Sequence, residues 1–448
     1  MANQNTNIPG SMLELTIDKL VPGGDGLARH DGKVYFVPFS VPGERVRVRI
    51  VEAKMDFARA VVVEVLEPSP DRTAPGCPVF GRCGGCDWQH LSHEAQLRHK
   101  VSLAEDALRR MGGISFPGLA IEGGKPWRYR NRVQVHQGQG GKRGFLARAS
   151  HDVIKLADCP IARPAFGDLF VPPAANGPAP QPAFSPEGRS AGPGRHTAWS
   201  HPLPDGRDFL ISEEPGATGH GVILSGASGD GPEPPAADAR AAIIREAAPA
   251  YMGPLPAGSD GPIEVSLLGK TIRFDLRCFF QSNLEMTARL IPWALDGLKG
   301  ESALDLYCGV GLFGAFLADR YKSVLAVEEN PISLEYAQGN IGATHDFLRG
   351  RVEDLLLEER GPLASARPEC IVVDPPRTGL DKAVAGFLAE KRPADLIYVS
   401  CNPVTLARDL KGLLAAGFSL ADLRLFDFYP QTAHVEAVAK LKWVGPIP

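Results

Sequence analysis

Short stretches of alternating hydrophobic and polar residues fill the first part of the chain. Between residues 11 and 68, four or five such stretches are separated by turns, the clearest being the Pro-Gly-Gly-Asp-Gly turn at 22–26. So many short strands in under 60 residues are typical of a small barrel of the OB kind. The pattern therefore predicts an N-terminal OB-like β-barrel over residues 1–68.

One strand of this predicted barrel carries a row of positive charge. Arg45, Arg47 and Arg49 alternate with Val46 and Val48, so the three guanidinium groups share one face of the strand. Such a row is suited to contacts with phosphates. The alternative interpretation is an ordinary solvated strand face.

A helical pattern with basic flanking sequence follows the barrel. Residues 91–111 combine helix-forming residues with helical spacing. The segment 93–148 holds 11 Lys and Arg against 4 Asp and Glu, a local excess of 7. Within it, residues 127–132 read Trp-Arg-Tyr-Arg-Asn-Arg, a mixture suited to stacking bases and holding phosphates. We expect an RNA-contact surface here, with a charged strand face as the alternative.

Glycine and proline interrupt the pattern in the middle of the chain. Residues 171–200 contain 11 Gly and Pro without periodicity, which indicates a surface insertion or a flexible linker. Residues 205–277 return to short strands. Together these features predict a β-rich central domain over residues 69–277.

The last part of the chain alternates helical and strand patterns. The predicted helices are 282–298, 311–320, 331–341, 381–390 and 403–416, and the predicted strands are 302–306, 323–328, 369–373 and 395–400. This order is typical of a doubly wound, Rossmann-like parallel sheet. We therefore predict a C-terminal α/β domain over residues 278–448.

Composition narrows the class of protein. A hydrophobic content of 44% excludes a chain that is disordered throughout. No stretch approaches 18 consecutive apolar residues, and the N-terminus lacks the pattern of a signal peptide. We therefore expect a cytoplasmic protein with no membrane association, and the sequence indicates no obligate protein partner. Because the net charge is −4, any role with RNA must depend on local patches.

Three of the eight cysteines lie within ten residues. Cys77, Cys83 and Cys86 form a C-x5-C-x2-C pattern, and Cys159 is the nearest candidate for a fourth ligand. Four thiolates suit either zinc or a 4Fe–4S cluster. Zinc sites usually pair two closely spaced C-x2-4-C motifs, so this spacing favours the cluster. The alternative is a set of ordinary cysteines in a glycine-rich loop.

A glycine-rich turn follows the first strand of the predicted α/β domain. Asp305 precedes the turn, which begins at Gly309 and has the spacing G-x-G-x-x-G. Glu328 ends the next strand, 19 residues after Gly309. This arrangement suits a ligand with a ribose diol and an amino group. It does not separate NAD from S-adenosylmethionine.

Two later motifs favour a methyl donor. Asp374 begins an Asp-Pro-Pro-Arg loop after one strand, and Cys401 begins a Cys-Asn-Pro turn after the next. Ligands bind at the carboxyl ends of strands in such sheets, so both side chains are expected at the ligand crevice. A thiolate there can act as a nucleophile, the alternative being a buried structural cysteine.

A possible base lies before the last strand. His434 and Glu436 are two residues apart, so in a strand they would share one face and look into one pocket. The alternative is a polar edge. Uracil C5 is a poor nucleophile, but a thiolate that adds to C6 makes an enolate whose C5 can attack a methyl sulfonium. A base must then remove the C5 proton before the thiol leaves.

With these residues assembled, the chain resembles the uridine-C5 RNA methyltransferase family, specifically its ribosomal-RNA branch. The resemblance covers residues 11–165 and 260–445. Its most specific motif is the Ser-Cys-Asn-Pro-x-Thr-x-Ala-Arg-Asp segment that begins at Ser400. The other matching features are a TRAM-like N-terminal barrel, the cysteine motif, Tyr129-Arg-Asn, Phe279-Phe-Gln281-Ser-Asn, Asp305-Leu-Tyr-Cys-Gly, Asp374-Pro-Pro-Arg and His434-Val-Glu436.

The resemblance implies specific roles. Cys401 is expected to be the nucleophile and Glu436 the base that removes the C5 proton. The positions expected to contact S-adenosyl-L-methionine are Gln281, Tyr307, Glu328 and Asp374. The expected ligands of a 4Fe–4S cluster are Cys77, Cys83, Cys86 and Cys159.

The expected substrate is a uridine of 23S ribosomal RNA, which becomes 5-methyluridine. The transfer-RNA branch of the family generally lacks both barrel and cluster, so their combination favours ribosomal RNA by analogy. The same chemistry on transfer RNA is the first alternative. An NAD-dependent oxidoreductase would explain neither Cys401 nor the cysteine motif, and a non-catalytic RNA-binding module would not need Cys401 and Glu436.

Overall fold

The structure is a computed structural model. It describes residues 8–137, 143–164, 166, 197–202, 208–214, 217–226, 263–275, 277–358 and 361–445. The predicted insertion at 171–200 lies outside the described residues except for its last four. None of the described helices is long and apolar enough to cross a membrane.

The N-terminal region is a six-stranded sheet curled around its own core, where the alternating pattern predicted a small barrel of four or five strands. Its strands are β1 (Met12–Thr16), β2 (Lys19–Leu20), β3 (Gly26–His30), β4 (Lys33–Val37), β5 (Arg45–Ala53) and β6 (Phe57–Glu67). They lie in the order β1-β5-β6-β4-β3-β2. Val46, Val48 and Ile50 of β5 are fully buried, because alternate residues of a strand point to the same side.

The arginine row of β5 is paired with acids on neighbouring strands. Arg45 lies 3.1 Å from a carboxylate oxygen of Glu14 and 2.7 Å from one of Glu67. Arg47 lies 3.1 Å from Glu14 and 2.5 Å from Glu64. These ion pairs favour the solvated strand face over the phosphate-binding row for both residues.

A helix and a second sheet follow. Helix α1 (His93–Ala107) begins at the N-cap Ser92, and a turn of π-helix over Leu108–Gly112 completes the predicted helix at 91–111. The second sheet has the order β10-β9-β8-β13-β12-β11. Its strands are β8 (Val133–Gln137), β9 (Arg143–Leu146), β10 (Val153–Lys155), β11 (Thr197–Pro202), β12 (Asp208–Glu214) and β13 (Ala217–Gly226). A separate hairpin pairs β14 (Ile263–Leu267) with β15 (Lys270–Phe274).

The C-terminal region is built on an eight-stranded sheet. Its strands are β7 (Ala120–Glu122), β16 (Gly300–Leu306), β17 (Tyr321–Glu328), β18 (Asp346–Arg349), β19 (Cys370–Val373), β20 (Asp395–Ser400), β21 (Phe418–Phe426) and β22 (Glu436–Trp443). Its helices are α2 (Leu284–Ala294), α3 (Leu312–Leu317), α4 (Pro331–Ile341), α5 (Val352–Leu355), α6 (Pro362–Ser365), α7 (Lys382–Lys391) and α8 (Pro403–Ala416).

This sheet is mixed rather than parallel throughout. The order is β18-β17-β16-β19-β20-β22-β21-β7, and β22 runs antiparallel to both of its neighbours. The prediction of a purely parallel sheet is therefore wrong at this edge. Strand β7, which precedes the second sheet in the chain, pairs in parallel with β21. The N-terminal half thus supplies one strand of the C-terminal sheet.

Both faces of the C-terminal sheet are covered by hydrophobic residues. Val372 and Ile397 belong to the core on one face, whereas Ile371, Val373 and Leu396 belong to the core on the other. Successive side chains of a strand alternate between faces, and helices bury both. This double burial leaves the carboxyl ends of β16, β17, β19 and β20 as the place where polar side chains can collect.

Candidate active site

The turn after β16 brings backbone close to a neighbouring helix. Gly311 has φ +80° and precedes α3, and a Cβ there would lie 3.0 Å from Cα of Ala337. The backbone N–H of Gly314 donates to Oδ2 of Asp305 at 2.7 Å. The predicted strand, glycine turn and helix are therefore present, and the turn is fixed by the carboxylate that precedes it.

Glu328 closes β17 beside this turn. One carboxylate oxygen accepts from the N–H of Gly309 at 3.0 Å, and the other accepts from the N–H of Asn330 at 2.8 Å. Burial raises the pKa of Glu328. Each oxygen keeps a second lone pair, so these bonds orient the carboxylate and leave it able to accept from a ligand hydroxyl.

Three buried polar atoms at this end of the domain have no hydrogen-bond partner among the described residues. They are Oε1 of Gln281, Oγ of Ser282 and Oδ1 of Asp305. Buried polar atoms in proteins are rarely left unpaired, so an unpaired group points to a missing ligand or water. Burial raises the pKa of Asp305 to about 8. These atoms fit a bound molecule with several polar groups, as a methyl donor of this kind has.

Tyr307 lies directly after β16. Its φ of +62° is unusual for a residue with a side chain. The phenol O–H donates to Oε1 of Glu353 at 2.8 Å, and burial raises its pKa. The ring is thus held at the end of the strand, where the resemblance predicts a contact with the cofactor.

A second group of polar side chains lies at the ends of three adjacent strands. Asp374 follows β19, Cys401 follows β20 and Glu436 begins β22. Ser400 pairs with Ala437, so Cys401 and Glu436 are the next residues along two neighbouring strands. The negative charges of Glu436 and Asp374 both act on the Cys401 thiol. The structure therefore brings these three predicted residues together.

The pocket disfavours negative charge. Burial, followed by the charges of Glu436 and Asp374, raises the pKa of Cys401 to about 12. Burial raises the pKa of Asp374 to about 7. Burial and the charge of Asp374 raise the pKa of Glu436 well above its usual range, and its side chain is only 5% exposed. Acids and thiols that are buried so close together cannot all ionise at once. A positive charge nearby therefore has a large effect on which of them is ionised.

Arg377 supplies that positive charge. Its charge and its hydrogen bond to the thiol lower the pKa of Cys401, and its charge also lowers that of Glu436. Its backbone carbonyl accepts from Nδ2 of Asn402 at 3.1 Å and from Oγ1 of Thr405 at 3.2 Å. Sequence reasoning noted the motif without assigning this residue a role, because only the fold shows that it faces the thiol.

His434 lies just before the last strand. Strand β22 begins at Glu436, and His434 lies in the preceding loop, where its N–H donates to Oγ1 of Thr432 at 3.2 Å. His434 is therefore not part of the strand, whereas the expectation that it and Glu436 look into one pocket stays a prediction, because the charge of Arg377 acts on both residues. Burial lowers the pKa of His434 to about 4, so its imidazole is neutral at physiological pH.

The four predicted cluster cysteines influence one another electrostatically. Burial raises the pKa of Cys83 to about 11, and the charges of Cys159 and Cys77 add to this. Burial also raises the pKa of Cys86, to about 12. The N–H of Gly85 donates to Sγ of Cys83 at 3.4 Å. Over the described part of the chain, however, no three His, Cys, Asp or Glu side chains are arranged to hold a metal ion.

In the aromatic and basic segment at 127–132, Tyr129 and Asn131 are buried, Arg128 is exposed and the other three residues are partly exposed. Tyr129 is only 5% exposed, and its O–H donates to the carbonyl of Pro430 at 3.0 Å. Arg128 donates to Asp158 at 2.7 Å and to the Cys159 carbonyl at 3.1 Å. Expecting Tyr129 to stack on bases is wrong, because the phenol is buried and hydrogen-bonded within the protein.

Exposed positive charge gathers in a cleft of about 570 Å³ beside the cysteine loop. Arg82, Arg148 and Lys155 line it, together with the single acid Asp152. Arg148 also lies 4.9 Å from the ring centre of Phe39 in the N-terminal region. Neither Arg82 nor Lys155 has an acidic partner among the described residues. Sequence reasoning missed this cleft, because its basic residues are far apart in the chain.

Comparison with known proteins identifies two families within the chain. A TRAM domain matches residues 8–63, and the tRNA (Uracil-5-)-methyltransferase family matches residues 264–348 and 357–443. An RNA methyltransferase of Halalkalibacterium halodurans is 32% identical over 96% of this chain and 97% of its own length. A 23S rRNA (uracil(1939)-C(5))-methyltransferase of Pectobacterium atrosepticum is 31% identical over 96% and 94%.

A solved structure shares the fold. The tRNA (uracil-54, C5)-methyltransferase of Pyrococcus abyssi, crystallised with S-adenosyl-L-homocysteine, superimposes with a TM-score of 0.64. It is 22% identical and covers 96% of this chain and 100% of its own. The relatives span nearly the whole chain at more than 30% identity. The chain therefore belongs to the uracil-C5 RNA methyltransferase family and is an S-adenosylmethionine-dependent enzyme of that family with an N-terminal TRAM domain.

Proposed function

We propose that this enzyme methylates C5 of a uridine in 23S ribosomal RNA and produces 5-methyluridine. The observation that carries the proposal is the meeting of Cys401, Glu436 and Arg377 at the ends of adjacent strands. The relative from Pectobacterium atrosepticum, which is named for 23S rRNA, supports the choice of RNA. The TRAM domain adds support for an RNA substrate.

The reaction begins with Cys401. Its thiolate adds to C6 of uracil, the C5–C6 double bond opens, and the electron pair is delocalised onto C5 and O4 as an enolate. The nucleophile must be ionised, and burial in the free enzyme opposes this. Arg377 counters that penalty with its charge and its hydrogen bond to the sulfur. Its role is to stabilise the thiolate at the start and end of the cycle.

The second step is transfer of the methyl group to C5. S-adenosylmethionine supplies an electrophilic methyl group when it is bound. Gln281, Tyr307, Glu328 and Asp374 are the residues proposed to hold it. Support comes from the unpaired oxygen of Gln281, the oriented carboxylate of Glu328 and the fixed ring of Tyr307.

The third step is removal of the C5 proton by Glu436. As the proton moves to the carboxylate, the C5–C6 double bond re-forms and the thiolate of Cys401 leaves. A buried carboxylate with a raised pKa is a stronger base once it has ionised. Exclusion of water keeps that proton transfer directed to the substrate.

RNA outside the target base needs its own contacts. We propose that Arg82 and Lys155 of the basic cleft hold phosphates of the flanking strand, whereas Arg148 is paired with Asp87 at 2.9 Å. The cleft opens beside the TRAM region, since Arg148 packs on Phe39. The target uridine must leave its stack, because the sulfur of Cys401 has to attack C6 through a face of the uracil ring that neighbouring bases would otherwise cover.

Cys77, Cys83, Cys86 and Cys159 are proposed to hold a 4Fe–4S cluster. Their support is the mutual electrostatic influence of the four thiols and the positive charge of Arg130, which lowers the pKa of both Cys86 and Cys159. Every step of the reaction is assigned to other residues. The cluster would therefore shape the loop beside the basic cleft.

The enzyme is proposed to act in the cytoplasm.

The substrate is tested by incubating the enzyme and S-adenosylmethionine with unmodified 23S rRNA or with unmodified transfer RNA. Digestion and mass spectrometry then measure 5-methyluridine. The expected result is one new 5-methyluridine in 23S rRNA, and none with Cys401→Ala. Product only on transfer RNA would overturn the substrate and keep the chemistry.

A further inference from the structure

Glu436 is the first residue after a long hairpin loop. Strands β21 and β22 are paired up to Phe426 and Glu436, so residues 427–435 form the connection between them. The shape of this loop decides where β22 begins. It therefore decides where the carboxylate of Glu436 lies.

The loop is held by parts of the chain outside the hairpin. Four consecutive carbonyls, from Phe428 to Gln431, each accept a hydrogen bond from a distant residue. The donors are Asn283 Nδ2 to Phe428 at 3.2 Å, Lys100 Nζ to Tyr429 at 3.1 Å, Tyr129 Oη to Pro430 at 3.0 Å, and the N–H groups of Asp87 and Trp88 to Gln431 at 3.0 and 2.9 Å. Three of these four carbonyls are held by residues that precede the catalytic domain in the chain.

Gln431 and Gln96 make the most complete of these connections. The backbone N–H of Gln431 donates to Oε1 of Gln96 at 2.8 Å, and Nε2 of Gln96 donates to Oε1 of Gln431 at 3.0 Å. Nε2 of Gln96 also lies 3.1 Å from the carbonyl of Trp88 and 3.0 Å from that of Leu91. Both glutamines are buried, since Gln96 is 0% exposed and Gln431 is 3% exposed.

The backbone of Gln431 shows that this connection imposes a conformation. Its φ is +71°, a region that residues with side chains rarely adopt. Such a conformation persists only when its surroundings hold it there. The backbone N–H of Gln431 donates to the Gln96 side chain. Its carbonyl accepts from the N–H groups of Asp87 and Trp88.

We infer that Gln96 and Gln431 are positioning residues that place Glu436 for removal of the C5 proton. This inference rests on the proposed function. Cys401 is held by a different set of contacts, because Asn402 and Thr405 tie its turn to the Arg377 carbonyl. Loosening the glutamine pair should therefore impair proton removal and spare addition of the thiolate.

The test separates these two steps in a single turnover. The variants are Gln96→Met, which keeps the side-chain length and removes its hydrogen bonds, and Gln431→Gly, which tolerates the positive φ. Glu436→Gln serves as the reference for a missing base, and Gln338→Met on an exposed face of α4 is the matched control. RNA and S-[methyl-³H]adenosylmethionine are mixed with each enzyme. Denaturing gels follow labelled protein–RNA adduct, and nuclease digestion follows released methylated RNA.

In Gln96→Met and Gln431→Gly, the labelled adduct should form at close to the wild-type rate. Its release should be slower by about tenfold to hundredfold, the penalty for a catalytic group misplaced by about 1 Å. RNA affinity and the behaviour of Gln338→Met should match the wild type. Circular dichroism and thermal melting identify a variant that has not folded, and the other variant then carries the test.

Two results would overturn the inference alone. One is release at the wild-type rate in both variants while Glu436→Gln traps adduct. The other is an equal fall in adduct formation and release, which indicates general damage rather than a misplaced base. If Glu436→Gln itself traps no adduct while the wild type methylates RNA, the proposed role of Glu436 fails and the inference fails with it.

Discussion

At the scale of single residues, the site is a set of buried ionisable groups whose charges affect one another. Burial raises the pKa of Cys401, Asp374 and Glu436, the charges of both acids raise that of Cys401 further, and the charge of Asp374 raises that of Glu436. Arg377 is the cation whose charge favours both the thiolate and the carboxylate of Glu436. The resting enzyme therefore holds a protonated thiol, and catalysis depends on how easily that proton is lost.

Adduct formation should accelerate with pH. Burial and the two carboxylates raise the pKa of Cys401 to about 12, and only the deprotonated form attacks C6. Below that pKa the thiolate fraction grows about tenfold per pH unit, so the single-turnover rate should climb from about pH 6 to about pH 9. Rapid-quench assays of adduct formation on the wild-type enzyme provide the measurement, because Glu436→Gln removes one of the two carboxylates that raise this pKa. A plateau near neutral pH would show that the thiolate is already formed.

Removing the Arg377 side chain should slow addition. A hydrogen bond to a charged group contributes about 1.5–3 kcal/mol, so Arg377→Met should lower the rate of adduct formation about tenfold to hundredfold. The matched control is Arg367→Met, because this guanidinium is exposed and, among the described residues, bonds only to carbonyls of its own turn. Equal rates for Arg377→Met and wild type would exclude the assigned role.

At the scale of elements, local signals in the sequence predicted much of the C-terminal region. The helices at 331–341 and 403–416 and the strand at 395–400 have the predicted bounds. Both helices begin with Asn followed by Pro, and the Asn side chains of Asn330 and Asn402 cap the helices as that pattern indicates. Caps depend on a few neighbouring residues, so sequence alone reveals them.

Long-range contacts explain what the sequence could not predict. Strand β7 has three residues and is defined by its pairing with β21. Tyr129 is buried by its bond to Pro430, about 300 positions away in the chain. Cys401 and Glu436, the proposed catalytic pair, were predicted from motifs, whereas Arg377 and the bonds between Gln96 and Gln431 needed the fold. Motifs identify residues with suitable chemistry, whereas tertiary contacts determine which other residues lie beside them.

A buried ion pair joins α1 to the loop before β22, and breaking it should destabilise the fold. Lys100 lies 2.5 Å from Asp427, and both side chains are fully buried. Lys100→Met leaves the buried Asp427 carboxylate with only His93 Nε2, at 3.3 Å, as an ionisable partner among the described residues, so we expect a loss of up to about 3–5 kcal/mol. Urea unfolding should show that loss, and Lys100→Met with Asp427→Asn should recover part of it. Lys411→Met is the control, because Lys411 is exposed and has no ion-pair partner in the part of the chain that the structure describes. Similar unfolding midpoints for Lys100→Met and the control would contradict this account.

At the scale of the whole molecule, RNA recognition depends on local charge. The chain carries a net charge of −4, yet the cleft beside the cysteine loop has three basic residues and one acid. The TRAM region, the cysteine loop and the C-terminal domain meet near this cleft and the hairpin loop at 427–435. RNA held there would span the regions that bind it and the region that modifies it.

Substitutions in the cleft should weaken RNA binding without changing the chemical step. Arg82→Ser with Lys155→Ser should lower affinity and reduce the slope of log K against log salt by about 2, because each phosphate contact contributes about 1. The single-turnover rate at saturating RNA should stay unchanged. Lys382→Ser, an exposed lysine on α7, is the control. An unchanged salt dependence would remove the cleft from the RNA-binding surface.

The central claim is that Cys401 bonds to C6 of a uridine and that Glu436 later releases it. The most direct measurement is mass spectrometry of the adduct trapped by Glu436→Gln with S-adenosylmethionine and 23S rRNA, after digestion with protease and nuclease. We expect one crosslinked peptide that contains Cys401 and carries a uridine with an added methyl group. A crosslink at another cysteine, or methylated RNA formed by Cys401→Ala, would contradict it.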